Sequence, residues 1–390
     1  MTEIFFWIGI SIVLYTYLGY PVILFFLVKL KRLKSTVMHP EPSEEQLHDL
    51  TLVIPCYNEE DYIEEKIKNC LELNYPPNKL SILFVTDGSD DGTNEVIKKY
   101  PEVTLSYNPE RRGKNAAVNR VIKTIKTPIV VFCDANTMLN KDALYNIARH
   151  YQNPKVGGVA GEKRVESADA SAAGTEGAYW KYESRLKTWD SELNTVVGAA
   201  GELFSIRTEL YEEVPKNVLI EDFRLSMNIA KKGLKVVYEP DAYAVETASA
   251  SIEEEYKRKV RISAGGLREV VYFMPLLNIF KYGMLSFQYV SHRMLRWTLA
   301  PLSLVIVLIT NILLAKDGNL FFISILIAQL VFYIISLIGH FLRGKDVKIK
   351  GFFIPYYFTF MNASVFMGLG RLIGDKQSVV WEKAQRMKKD

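Results

Sequence analysis

Asp134 closes an apolar run. In PIVVFCDANT, Pro128 to Thr137, β-branched and aromatic residues lead straight into a carboxylate, and the next polar side chain, Asn136, follows two positions on. Three other apolar runs end in the same manner, in PCYNEE (Pro55–Glu60), TDGSDDGT (Thr86–Thr93) and, after the third, NPERRGKNAAVN (Asn108–Asn119). Packing gives a strand little reason to end on such groups, whereas open parallel sheets bind ligands at the carboxyl ends of their strands. Four such ends describe one polar crevice, rich in carboxylates and supplied with cations. Asp87 stands at a strand end, where a base or ribose would have to be held. Lys114, beside Gly113 at a helix start, suits a phosphate through its charge and the exposed amides; a solvated helix start explains it as well. Asp90 and Asp91 read as turn and helix-capping residues. Later, Glu221 and Asp222 precede a helical stretch in VLIEDFRLSMNIAKKG, where a helix dipole by itself favours acidic residues.

The elements that position these groups follow from periodicity. Strands are expected at LTLVIPCYN, LSILFVTD, VTLSYN and IVVFCD, and helices at Glu60–Leu73, Asp91–Tyr100, Lys114–Lys126 and Lys141–Tyr151. Alternation of this kind, with near-continuous Val and Ile, predicts an α/β fold: a mostly parallel sheet with helices on both faces. Beyond Val156 the order is mixed, with helices expected at Gly174–Asp190, Asp222–Lys232 and around Glu253–Arg268.

Across the 390 residues, the 49% hydrophobic content averages two populations, because apolar residues gather at the two ends. Ile4–Val28 carries no charge and is long enough to cross a bilayer. A signal peptide fits less well, since Glu3 stands where a basic segment belongs and no small-residue cleavage site follows. The cluster KLKRLK, Lys29–Lys34, places the following region on the cytoplasmic side. Leu299–Ala315 and Leu320–Leu342, joined by KDGN, read as a transmembrane hairpin. Residues 269–298 suit interfacial amphipathic helices, and Phe352–Leu369 suits a re-entrant or interfacial segment. The expected organisation is thus an anchor at 1–34, a linker at 35–49, a cytosolic domain at 50–268, interfacial helices at 269–298, a membrane region at 299–372 and a basic tail at 373–390. The net charge of +4 belongs to membrane flanks, and no basic stripe marks a nucleic-acid partner. Cys56, Cys70 and Cys133 lack metal-ligand spacing and read as reduced, buried thiols.

Five of these segments, VIPCYNEE, TDGSDDGT, GKNAAVN, DANT and LIEDFRLS, resemble in order and spacing the inverting family-2 glycosyltransferases, which include the membrane-bound cellulose, chitin and hyaluronan synthases. The resemblance covers about residues 50–265 and implies a glycosyltransferase A-type, Rossmann-like fold, a UDP-sugar donor, and Mg2+ or Mn2+. By position it implies that Pro55, Tyr57, Glu59 and Asp87 cradle uracil and ribose and that Lys114 approaches the diphosphate. Asp134 falls on the first position of the family's Asp-x-Asp metal motif; hard cations of this class often need only one or two carboxylates besides phosphate. Asn136 departs from the second position, giving an amide oxygen without charge. Of the pair Glu221 and Asp222, the second matches the general base. The segment VVGAAGELFSIR resembles the acceptor site, although close packing explains its small residues equally well. The family's Gln-x-x-Arg-Trp motif aligns with Arg258–Ile262, keeping Arg261 but not Gln or Trp; Arg258 and Arg261 are then expected to neutralise the departing diphosphate. WEKAQR, Trp381–Arg386, resembles a cytoplasmic tail of related enzymes.

The resulting expectation is sugar transfer from a UDP-sugar to a glycan or lipid-linked acceptor at the cytoplasmic face of the cell (inner) membrane, in polysaccharide assembly. Its partners are the donor, the acceptor and membrane lipids; export through a channel would call for a homo-oligomer or a membrane partner. Single-sugar addition to a lipid carrier competes, as does a non-catalytic nucleotide-sugar-binding protein.

Overall fold

The computed structural model describes residues 1–34, 41–166, 172–247, 252–342 and 350–374. The expected tail at Trp381–Arg386 lies outside them. Two compact units emerge, one drawing on Met1–Lys29, Ser167–Leu186 and Ser251–Gln377, the other on Leu30–Glu166 and Lys187–Ala250. The expected cytosolic span 50–268 is therefore interrupted: the helix Ile252–Tyr272 and most of Ala172–Leu193 pack within the helical unit rather than the sheet unit.

The sheet unit contains eight strands: β1 (Leu50–Cys56), β2 (Leu80–Asp87), β3 (Thr104–Asn108), β4 (Ile129–Cys133), β5 (Thr137–Leu139), β6 (Val156–Glu166), β7 (Leu203–Arg207) and β8 (Lys235–Thr247). They lie in the order β3-β2-β1-β4-β7-β6-β8-β5. The half built from β1 to β4 is parallel throughout. All seven residues of β1 are buried, as its unbroken apolar run requires of a strand covered on both faces. Two clusters of buried side chains cover the two faces, one including Leu52, Ile54, Ile63 and Ile67, the other Val53, Val85, Val121 and Ile206.

The other half is mixed: β7 runs antiparallel to β4 and β6, β5 antiparallel to β8, and β6 parallel to β8. These strands escape a local reading. β6, VGGVAGEKRVE, is poor in strand formers because its glycines are needed for close approach; a Cβ at Gly157 would lie 2.6 Å from Ile229, and one at Gly161 2.6 Å from Leu203. The expected helices stop early. Lys114–Lys126 ends at Ile122, where Thr124 turns back to donate its backbone N–H and its hydroxyl to the Val121 carbonyl.

In the helical unit, Leu299–Ala315 and Leu320–Leu342 have the expected bounds, with Gly318 at φ +74° in the turn between them. Among the described residues, Thr2–Lys34 and Leu320–Leu342 are long and apolar enough to cross a membrane. Met284–Trp297 and Leu299–Ala315 meet the same test together, bent by 53° at their junction. The second part of 269–298, expected to be interfacial, pairs by length and composition with the helix that follows. The first part is a chain of short helices that leaves Phe280 fully exposed. Phe352–Leu369 lies within one continuous helix, Lys350–Ile373, that carries Pro355.

Candidate active site

At the carboxyl end of β4 the chain leaves the sheet at Asp134 and re-enters it three residues later as β5. Lys114, first residue of its helix, reaches this point: its Nζ donates to Asp134 Oδ1 at 2.9 Å and also lies 2.8 Å from Glu221 Oε1. Burial works against the lysine's charge, but Asp134 and then Glu221 more than offset it and hold its pKa above the usual lysine range. Pro55, Lys114, Asp134, Glu221 and Asp222 all border one open cavity of about 450 Å³. Residues from four separate motifs, up to 167 positions apart in the chain, therefore share one space.

Glu221 and Asp222 arrive there through a brace that the sequence reading missed. From the Lys114–Ile122 helix, Asn115 donates to the carbonyls of Pro215 and Val218. One turn on, Asn119 donates to Val214 O and accepts from Val214 N–H and the Tyr211 hydroxyl. The i, i+4 spacing of the two asparagines in GKNAAVN was the available signal. They act by fixing the loop that delivers the acidic pair.

Asp87, at the end of β2, accepts two backbone N–H groups at Oδ2, from Arg112 at 2.9 Å and Gly113 at 2.6 Å. Gly113 has φ +92°, which a side chain rarely tolerates, and this turn presents its N–H to Asp87. Asp87 Oδ1 is buried with no hydrogen-bond partner among the described residues. Beside it, the Arg111 guanidinium lies 3.6 Å from the centre of the Tyr57 ring. Glu59 is buried at the start of the Glu60–Leu71 helix, where its N–H donates to Thr93 Oγ1. Asp90 and Asp91 tie loops together as expected: Asp91 accepts from Thr93 and Glu60 N–H, and Asp90 exchanges hydrogen bonds with Asn58.

Asp222 sits in the first turn of its helix. Burial, then the adjacent Glu221 charge, pushes its carboxyl up from the ordinary aspartate value to about 7, against a lowering hydrogen bond from the Phe223 backbone. A carboxylate in that range can both accept and release a proton near neutral pH. The small-residue segment before β7 divides into two roles. Gly198, at φ +87°, lets the backbone lie against Phe223, whose ring a Cβ would strike. Gly201 borders the cavity, and a Cβ there would stand 3.6 Å from Asp222 Oδ2, in the space beside the carboxylate.

Arg258 and Arg261 lie on Ile252–Tyr272 in the helical unit, where Arg258 donates to Glu255 one turn earlier at 2.8 Å; its charge is already engaged locally. Asn136 is half-buried in the β4–β5 turn, and its side chain makes no hydrogen bond to another described residue. Among the described residues no three His, Cys, Asp or Glu side chains are grouped to hold a metal ion. A divalent ion at Asp134 would therefore depend on ligand oxygens for most of its coordination, which hard-cation chemistry with phosphates allows. Cys56, Cys70 and Cys133 are free and buried.

Residues 51–214 match the model of glycosyl transferase family 2. The chain is 28% identical over 241 residues to the poly-β-1,6-N-acetyl-D-glucosamine synthase of Staphylococcus aureus (strain MSSA476), a match covering 58% of this chain and 57% of that protein. The corresponding Staphylococcus epidermidis synthase is 25% identical over 255 residues, 63% of this chain and 60% of that one. The chain thus spans little more than half the length of these relatives. A solved mannosyltransferase from Pyrobaculum calidifontis, in complex with GDP-Man and Mn2+, superposes with a TM-score of 0.70 at 22% identity, covering 96% of this chain and 100% of that one. The fold is accordingly of the glycosyltransferase A type, and the similarity to glycosyl transferase family 2 lies within residues 51–214.

Proposed function

We propose that the chain is an inverting hexosyltransferase that moves a sugar from a nucleoside-diphosphate donor to a glycan at a membrane. The observation that carries this is the shared cavity: the acid at the β4 end, the lysine beside it and the acid with a raised pKa border the same space.

In this reading Asp87 Oδ1 accepts a ribose hydroxyl, and the Tyr57 and Arg111 pair lines the base. Lys114 exchanges its present carboxylate partners for the diphosphate. Asp134, assisted by the Asn136 amide, would hold Mg2+ or Mn2+, which supplies positive charge to the leaving diphosphate when bound. Asp222 takes the proton of the acceptor hydroxyl as that oxygen attacks the anomeric carbon from the face opposite the diphosphate. The acceptor lies against Gly201, beside the Asp222 carboxylate. A positioned base of this kind contributes about 10²–10⁴ in rate.

The names of the staphylococcal relatives support a growing glycan as acceptor, and the basic Lys29–Lys34 flank supports a cytoplasmic active site. The donor nucleotide is uridine in the sequence reading and guanosine in the mannosyltransferase complex. Incubation of the purified protein with UDP-N-acetylglucosamine, UDP-glucose and GDP-mannose, each with Mn2+, followed by mass measurement of products, decides donor and polymer length together. Nucleotide release is expected from one donor. No release from any of them, with acceptor glycan present, would overturn the transferase reading.

A further inference from the structure

Lys66 occupies a position where a lysine is out of place. It falls in the apolar stripe Ile63, Lys66, Ile67, Cys70 of the Glu60–Leu71 helix and is 0% exposed. Among the described residues it makes no salt bridge; its Nζ donates to the Thr137 carbonyl at 2.6 Å and to Cys133 Sγ at 3.1 Å. Those two residues bracket the turn Asp134–Asn136. The turn is closed by Thr137, whose hydroxyl donates to the Asp134 carbonyl at 2.9 Å. One helical turn after Lys66, Asn69 grips the other end of β5, donating to Leu139 O at 2.8 Å and accepting from Leu139 N–H at 2.9 Å.

One helix face thus holds β5 at both ends, but with different chemistry. At the Leu139 end a neutral amide suffices. At the Thr137 end stands an amine whose burial carries a desolvation cost, which the neighbouring sulfurs and the Asp134 carboxylate offset, so that it stays protonated. A brace alone needs no charge.

We propose that Lys66 is a positioning residue for the donor site: from beneath the turn, its ammonium fixes the β4–β5 link that carries Asp134 on the cavity side. This rests on the reading of Asp134 as a donor-site residue. The ligand class is unchanged, a divalent ion with a nucleoside diphosphate; the new element is the buried cation that orients the acid facing them. Outer partners of this kind typically account for about 10–100-fold in metal affinity.

The test is calorimetric titration of the full-length protein in detergent with UDP and with GDP, each in the presence of Mn2+, alongside thermal melting. Lys66→Gln keeps a donor for the Thr137 carbonyl and removes the charge; Lys66→Met removes both. Both are expected to lose about tenfold or more in affinity for whichever nucleotide the wild type binds. Asn69→Leu, which cuts the uncharged brace, is expected to melt lower and to bind as the wild type does. Wild-type affinity in both Lys66 variants, equal weakening in Asn69→Leu, or failure of both Lys66 variants to fold would each overturn the proposal in favour of a plain structural brace. Asp134→Asn separates the two levels. If it weakens binding while the Lys66 variants do not, only the role of Lys66 falls. If the wild type binds neither nucleotide, or Asp134→Asn binds as tightly, the donor-site reading falls first and takes this inference with it.

Discussion

Lys114 in the sheet unit and Glu183 in the helical unit each form the centre of an ion cluster, yet their surroundings differ. The Lys114 side chain is 21% exposed and contacts two acids at the wall of an open cavity. Glu183 is 3% exposed and takes Arg293 at 2.6 Å, Arg296 at 3.0 Å and His292 at 3.2 Å. Burial would push the Glu183 carboxyl up, but Arg293, His292 and Arg296 outweigh it and hold it well below the usual carboxylate range. The sealed cluster is saturated by its own chain and ties helices together. The open one, in the function proposed above, holds charges that a diphosphate and a divalent ion would take over. Charge density alone does not distinguish a site from a staple; access does.

The largest effect that would break this comparison is at Asp222. Asp222→Asn is expected to lower turnover by about 10²–10⁴ while nucleotide binding persists, measured as diphosphate release and calorimetric affinity. Stability should move the other way. Because the folded-state pKa is raised to about 7, the protonated form is favoured on folding. That contribution is complete below the unfolded value near 4 and is lost as the pH rises through 7. At pH 8 the wild type therefore carries a buried charge that the variant lacks. The variant should melt higher, with the gap narrowing as the pH falls from 7 towards 4. Glu183→Gln should do the reverse, leaving two arginines facing a neutral amide. It is expected to lose about 3–5 kcal/mol of stability, read by melting in detergent, with nucleotide affinity intact. A stable but non-binding Glu183→Gln would place that residue in the chemistry after all.

The parts of this molecule that could be read in advance are those whose causes are local. β2 spans LSILFVTD as its apolar run implies, and the two hydrophobic helices about KDGN keep their expected ends, because burial or lipid demands uninterrupted apolar sequence. Polar strand ends were legible for the complementary reason, that packing does not explain them. What stayed hidden is non-local. β5 is three residues long and exists through pairing with β8, about 100 positions later. The glycines of β6 are explained only by Ile229 and Leu203, which lie far along the chain. Arg258 is different again: motif alignment links it to the leaving group, and its local bond to Glu255, its own helical neighbour, could not be read from that alignment.

A smaller effect sharpens the contrast between open and sealed charge. If Asp222 is the base, kcat/KM should rise about tenfold between pH 6 and pH 8, as expected for one ionisation centred near 7. The group faces Glu221, Glu202 and Lys114, so neutralising its nearest acid by Glu221→Gln should move this limb to lower pH. A limb that stays in place would mean that burial alone sets the value.

The smallest effect concerns Asn136. The β4–β5 turn offers one carboxylate, Asp134, and an amide two residues on whose side chain makes no hydrogen bond to another described residue. Asn136→Asp would add a formal charge beside a divalent ion. At an effective dielectric of about 20, two unit charges 4 Å apart interact by about 4 kcal/mol. Most of that should not appear, because the new carboxylate must be desolvated and, without the ion, would repel Asp134 or attract Lys114 away from it. Those competing terms reduce the expected gain to about 3–10-fold in Mn2+ affinity, in keeping with the dependence of hard-cation sites on ligand charge, read by manganese paramagnetic resonance with nucleotide present. Tighter binding would show that the position faces the ion and that its amide weakens the site. Unchanged affinity would mean that Asp134 is the only side chain of this turn acting on the ion, and that the donor's own oxygens complete the open cluster.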